Sequence, residues 1–255
     1  MINLTDLATL VCGGQAIDDA ASECEFSKIL IHLRSVLKTT LTEIQWLSNE
    51  PPSRIALYGP FLARSLLEVA ITAIIGRMDP TRLLVVKRTQ EHGNYDTRKS
   101  WNSAIRWQGD VLDDKVQDLW TPKRSYKEMT KALFGDYYVE IYWTPAFNRL
   151  SEQIFTGGSW LAEIKGQTIM AFAATRRDSI GKLYSELSKG VHSEFVIPPG
   201  SMYDKLTVSN LVANVTQILS ELGLLTNLLP HIAYALPKMD ALEIFNGIEN
   251  IEVMS

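Results

Sequence analysis

From Phe26 to Leu47 apolar residues recur at steps of three and four: Phe26, Ile29, Leu30, Leu33, Val36, Leu37, Leu41, Ile44 and Leu47. That spacing keeps one stripe of a 3.6-residue helix apolar, so residues 23–49 are predicted to form a long amphipathic helix. Pro51 and Pro52 stop it. After Ser53, a candidate N-cap, the run from Ile55 to Arg77 is apolar almost all the way round, which predicts a helix enclosed by others. Only Glu50 to Pro52 separate the two helices, and so short a connection turns them into antiparallel neighbours. A chain built this way is constrained to an all-α, multi-helix bundle.

The remaining segments fit that frame less regularly. Asp79 and Pro80 open a short helix to about Arg88, and His92 to Asn94 read as a turn. Trp101, Ile105, Leu112, Val116 and Leu119 suggest a helical passage. Thr121 and Pro122 open another to Phe134, and Pro145 starts one ending near Gly157 and Gly158. Tyr137 to Trp143 is aromatic and β-branched, which permits a short extended segment over 137–143. Asp178, a candidate N-cap, begins a helix to His192, and Leu206 to Leu225 form another. No repeat or interdomain linker interrupts the chain, so residues 1–255 are expected to form a single helical domain with an irregular middle over 93–176.

Composition removes several functional classes. With 255 residues, 46% hydrophobic and 21% charged, the chain can bury a sizeable core. Lys and Arg number 25 against 29 Asp and Glu, a formal charge of −4, so no global field draws it to nucleic acid or to an anionic membrane. Cys12 and Cys24 do not make a disulfide framework, and no Cys and His cluster has zinc spacing. There is no dinucleotide fingerprint, no Gly-x-Ser-x-Gly elbow and no His-Glu-x-x-His, so neither metal nor cofactor is expected. The start, Met1 to Asp6, lacks the order of a signal peptide, and the apolar stretches at 66–76 and 222–236 are short or interrupted. The expectation is a cytoplasmic protein without a membrane partner. Arg98, Lys99, Trp101, Arg106 and Trp107 interleave cations with aromatics, as single-stranded nucleic-acid surfaces do. The acidic balance favours the plainer reading, a helix with its tryptophans in the core and its charges in water.

Two polar constellations stand out against this apolar background. Tyr184, Ser188 and His192 fall at i, i+4 and i+8, beside the ridge of Ile180, Leu183, Leu187 and Val191, and so form a polar seam along one helix edge. Arg64 and Glu68, four residues apart on the second helix among Phe61, Leu62, Leu66 and Leu67, read as a largely desolvated structural ion pair. Two buried polar features in one bundle are most easily satisfied by meeting each other, so the pair is expected to be buried and bonded internally or to the seam. The seam by itself is either a satisfied structural network or a site.

The segment Arg64 to Glu68, followed by Tyr184 to His192 with its Leu-Ser-x-x-x-His ending, resembles the HEPN-like helical superfamily of bacterial toxin and phage-defence proteins. The resemblance covers two short patches. It implies a component of a defence or toxin system that acts on RNA or regulates a partner that does, working as a homodimer or with an operon-encoded protein. If it is an enzyme, it is a metal-independent RNA endonuclease, with His192, Tyr184 and Ser188 as catalytic candidates. In active members an Arg precedes the His by four to six intervening residues. Here those positions before His192 are Leu187, Glu186 and Ser185, so the phosphate would have to be bound by Arg176, Arg177 or a second subunit. The reading from another class is a non-catalytic helical interaction module whose seam is structural and whose apolar surface docks a partner protein.

Overall fold

The computed structural model describes residues 2–20, 23–111, 132–153, 155–191 and 203–253. In chain order its helices are α1 (Asp6–Cys12), α2 (Ala16–Asp19), α3 (Glu25–Leu47), α4 (Pro52–Met78) and α5 (Pro80–Glu91). A 3-10 turn over Thr97–Asn102 follows. Then come α6, in which Asp136–Tyr138, a π-type segment Val139–Trp143 and Thr144–Glu152 run on from one another, α7 (Ser159–Lys165), α8 (Ile169–Val191), α9 (Lys205–Asn227) and α10 (Lys238–Glu249). No strand occurs among the described residues; one antiparallel bridge joins Ala104 to Val111. The fold class is all-α.

The two long helices stand where the periodicity places them. Leu30, Leu37, Leu41, Ile44 and Leu47 of α3 are buried on one side, each contributing about 1.5–3 kcal/mol through the apolar area removed from water. Pro51 holds an extended backbone and Pro52 occupies the first turn of α4, so the chain reverses and α3 packs back on α4. α4 is the axis of the bundle, with α1, α3, α8 and α9 packed around it. Gly59 lets α9 in close, because a Cβ there would overlap Val208. By length and composition α4 could cross a membrane, yet 61% of its apolar window is buried inside the fold.

Four local expectations are corrected. α4 is not enclosed all round: Leu57, Tyr58 and Phe61 are exposed, because its neighbours cover the other side of its N-terminal half. Tyr137 to Trp143 is helical rather than extended. Its β-branched and aromatic residues are recruited by packing, with Trp143 fully buried and its Nε1–H donating to the Leu133 carbonyl at 2.7 Å. α8 begins at Ile169, not at Asp178. Thr168 caps it, its Oγ1 accepting from the Ala171 N–H at 3.2 Å, and Asp178 lies exposed in the helix interior. The helical passage expected from Trp101 is a 3-10 turn and then a loop closed by the Ala104–Val111 bridge; Leu112, Val116, Leu119 and the helix expected from Thr121 lie outside the described residues.

Polar side chains lock this frame. Arg77 at the end of α4 is fully buried and donates to the carbonyls of Val11 (2.9 Å), Ala233 (3.2 Å) and Tyr234 (3.3 Å) and to Asn227 Oδ1 (2.9 Å). Burial lowers its pKa to about 10, the cost of a cation held by neutral acceptors. Gly13, with φ of 105°, ends α1 directly under Tyr234, where any Cβ would overlap the Tyr234 carbonyl oxygen.

Candidate functional site

Arg64 points from α4 to α8 and joins the two constellations. Its Nη2 donates to Tyr184 Oη at 2.6 Å, its Nη1 to Ser188 Oγ at 3.2 Å and its Nε to Glu68 Oε1 at 3.1 Å. The guanidinium carbon also lies 4.5 Å from the centre of the Tyr184 ring. Three of its five N–H groups are thereby used. Ser188 Oγ donates in turn to the Tyr184 carbonyl at 2.6 Å, so its hydroxyl proton is committed to the backbone. The Tyr184 hydroxyl accepts from Arg64 and keeps its own proton to give. The expected pair is therefore bonded to the seam, but it is not buried as expected: the Arg64 side chain is 25% exposed and that of Glu68 51%. The stripe of α4 that carries them also carries Leu57 and Phe61, and it is the stripe that faces solvent.

This network forms one end of a cleft of about 420 Å³ between α3, α4, α5, α8 and the loop over residues 100–108. Leu67, Ile71, Leu83 and Ile105 make its apolar wall; Gln90, Ser103, Arg106 and Tyr184 supply polar groups. The loop is held from behind. Arg82, buried, grips Asp110 with both Nε (2.8 Å) and Nη2 and donates to Tyr138 Oη at 2.5 Å, while Thr72 Oγ1 reaches the Ile105 carbonyl at 3.4 Å. In Arg82, pairing with Asp110 and Tyr138 outweighs burial and holds the pKa above its ordinary value. The reading that put the loop's tryptophans in the core is corrected for Trp101, which is 58% exposed, while Trp107 is half-buried and packs against the core; both line the cleft with Arg106.

The arginines proposed for phosphate lie elsewhere. Arg176 is buried, its Nε 2.5 Å from Glu221 Oε2 and its Nη2 2.8 Å from both Glu221 Oε1 and Glu163 Oε1. It borders a separate hollow of about 260 Å³ with Lys182, Glu186 and Gln217. Burial pushes the Glu221 carboxyl up to about 7, against the pull of Arg176. Arg177 is exposed, 3.5 Å from Asp178; because α8 reaches back to Ile169, it shares a flank with Tyr184 roughly 10 Å away along the axis. His192 lies outside the described residues. Ser103 was not singled out by any motif; the interleaved Arg and Trp residues were the one signal pointing at its loop. No family model, no curated protein and no solved structure matches the chain.

Proposed function

We propose that the protein is a HEPN-like component of a bacterial defence or toxin system that engages RNA at the rim of this cleft. One observation carries the reading: Arg64 of α4 stands against Tyr184 and Ser188 of α8, bringing a cation to the helix edge where no Arg precedes His192 at the usual spacing. The cation comes from the neighbouring helix.

Strand cleavage then divides among these groups. His192, four residues beyond Ser188 in sequence, takes the proton of a ribose 2′-hydroxyl; the freed oxygen bonds to phosphorus as the bond to the 5′-oxygen breaks. Tyr184 gives its proton to the leaving 5′-oxygen, and Arg64 stabilises the phosphate charge. Ser188 positions Arg64 and takes no part in proton transfer. Induced expression should arrest growth, and His192→Ala or Tyr184→Phe should relieve the arrest in a folded protein, with 2′,3′-cyclic phosphate ends on RNA cut by the wild type alone. Arrest that survives both substitutions contradicts cleavage here.

The exposed Leu57, Tyr58 and Phe61 beside Arg64 favour a second reading, a non-catalytic module docking a protein partner. That module would retain partner binding in His192→Ala and lose it when Leu57 and Phe61 are replaced by serine.

A further inference from the structure

We infer that the cleft is a receptor for one nucleotide unit, an aromatic base carrying a phosphate. The inference deepens the RNA reading above and rests on it only for where the nucleotide comes from.

Size, lining and charge each point the same way. At about 420 Å³ the cleft falls within the range of roughly 300–1,000 Å³ that small-ligand pockets occupy. Its wall is apolar, and Trp101, which lines it and is 58% exposed, offers a ring for stacking. Among the described residues the charged lining groups are Arg64, Arg106 and Glu68, two cations against one carboxylate in a chain whose formal charge is −4. Glu68 is already engaged by Arg64 Nε, and among the described residues the two remaining N–H groups of Arg64 have no acceptor. A phosphate placed between Arg64 and Arg106 supplies one.

The independent observation lies deeper. Ser103 lines the cleft, is 2% exposed, and its buried Oγ has no hydrogen-bond partner among the described residues. A buried hydroxyl left unmet is unfavourable, so its retention in an apolar wall calls for a visiting group. A ring nitrogen or exocyclic group on a base edge satisfies it, whereas a purely apolar ligand leaves it orphaned. The Ser103 carbonyl is already met by Gln90 Nε2 at 3.2 Å, which fixes the backbone without using the hydroxyl.

The test uses the full chain and isothermal titration with the four ribonucleoside monophosphates, then the nucleoside of whichever binds and ribose 5-phosphate as half-ligands. At least one monophosphate should bind saturably, and its matching half-ligands at least about tenfold more weakly, since base and phosphate are held by different groups. Arg106→Gln should weaken the nucleotide and leave the nucleoside unchanged. Trp101→Ala should weaken both. Ser103→Ala should weaken binding several-fold in a protein that melts no lower than wild type, an effect a merely structural serine would not have. No saturable binding by any monophosphate to folded protein overturns the inference, as does wild-type affinity in both Ser103→Ala and Trp101→Ala. If short single-stranded RNA is cut while monophosphates fail to bind, the inference falls and the RNA reading stands. If monophosphates bind as described while RNA is neither bound nor cut, the RNA reading falls and the receptor for a free nucleotide stands.

Discussion

The guanidinium of Arg64 lies over the ring of Tyr184 at 4.5 Å and donates to its hydroxyl at 2.6 Å, although the two residues are 120 positions apart in the chain. One contact thus clips α8 to the axis helix and sets the polar end of the cleft.

The first prediction measures that clip. In urea melts, Arg64→Gln and Tyr184→Phe should each be modestly destabilising, with a coupling of about 1 kcal/mol in the double-mutant cycle. Fully additive losses would mean that the two side chains stand together without interacting.

Arg77→Met tests the lock at the end of α4. The substitution preserves much of the bulk but strips donors from the Val11, Ala233 and Tyr234 carbonyls and from Asn227 Oδ1. The loss should be large, on the order of 3–5 kcal/mol, because several buried acceptors are orphaned at once. A melt within 1 °C or so of wild type would show that water replaces the guanidinium freely.

The two thiols should differ sharply in reactivity. Burial pushes Cys12 up to about 12, while the Ser27 backbone N–H at the start of α3 holds Cys24 below its ordinary value. Iodoacetamide at neutral pH should label Cys24 in the native protein and reach Cys12 only on unfolding. Equal labelling would contradict the burial of α1.

Glu221 gives stability a pH dependence of defined sign. Its folded pKa, about 7, stands above the ordinary 4.5, so the folded state binds the proton more tightly. The stabilisation is full below the ordinary value and is lost as pH rises through about 7. Glu221→Gln should remove that component, so the difference in melting temperature, wild type minus variant, should fall between pH 5 and 8 in roughly the way linkage requires. A difference that stays level over that interval would mean that Arg176 holds the carboxylate ionised throughout.

What could be read from sequence divides along physical lines. α3, α4 and α9 were legible because their apolar spacing is local and Pro51 and Pro52 punctuate it. The meeting of Arg64 with the Tyr184 and Ser188 seam was legible because stranded polar groups in a bundle need partners. Their exposure was not, since Leu57 and Phe61 share the stripe of Arg64 and disguise a solvent face as a buried one. Tyr138 and Trp143 suggested extended chain, but the contacts that make them helical come from Arg82 and Leu133. The role of Arg77 has no local signal, because its acceptors sit up to 157 residues away. The cleft depends on a loop whose shape is imposed by Arg82 and Asp110, a pairing without periodicity.

The bond between Asn227 Nδ2 and the Leu10 carbonyl, 217 residues apart, bears on the order in which this molecule can be made. α1 rests on α3 and α4, which follow it closely in sequence, and on α9 and α10, which follow far later, so half of its seat can form early and the other half waits for α9 and α10. Closing the second half is a step of high sequence separation, and a chain cut before α9 should leave that side of α1 uncovered.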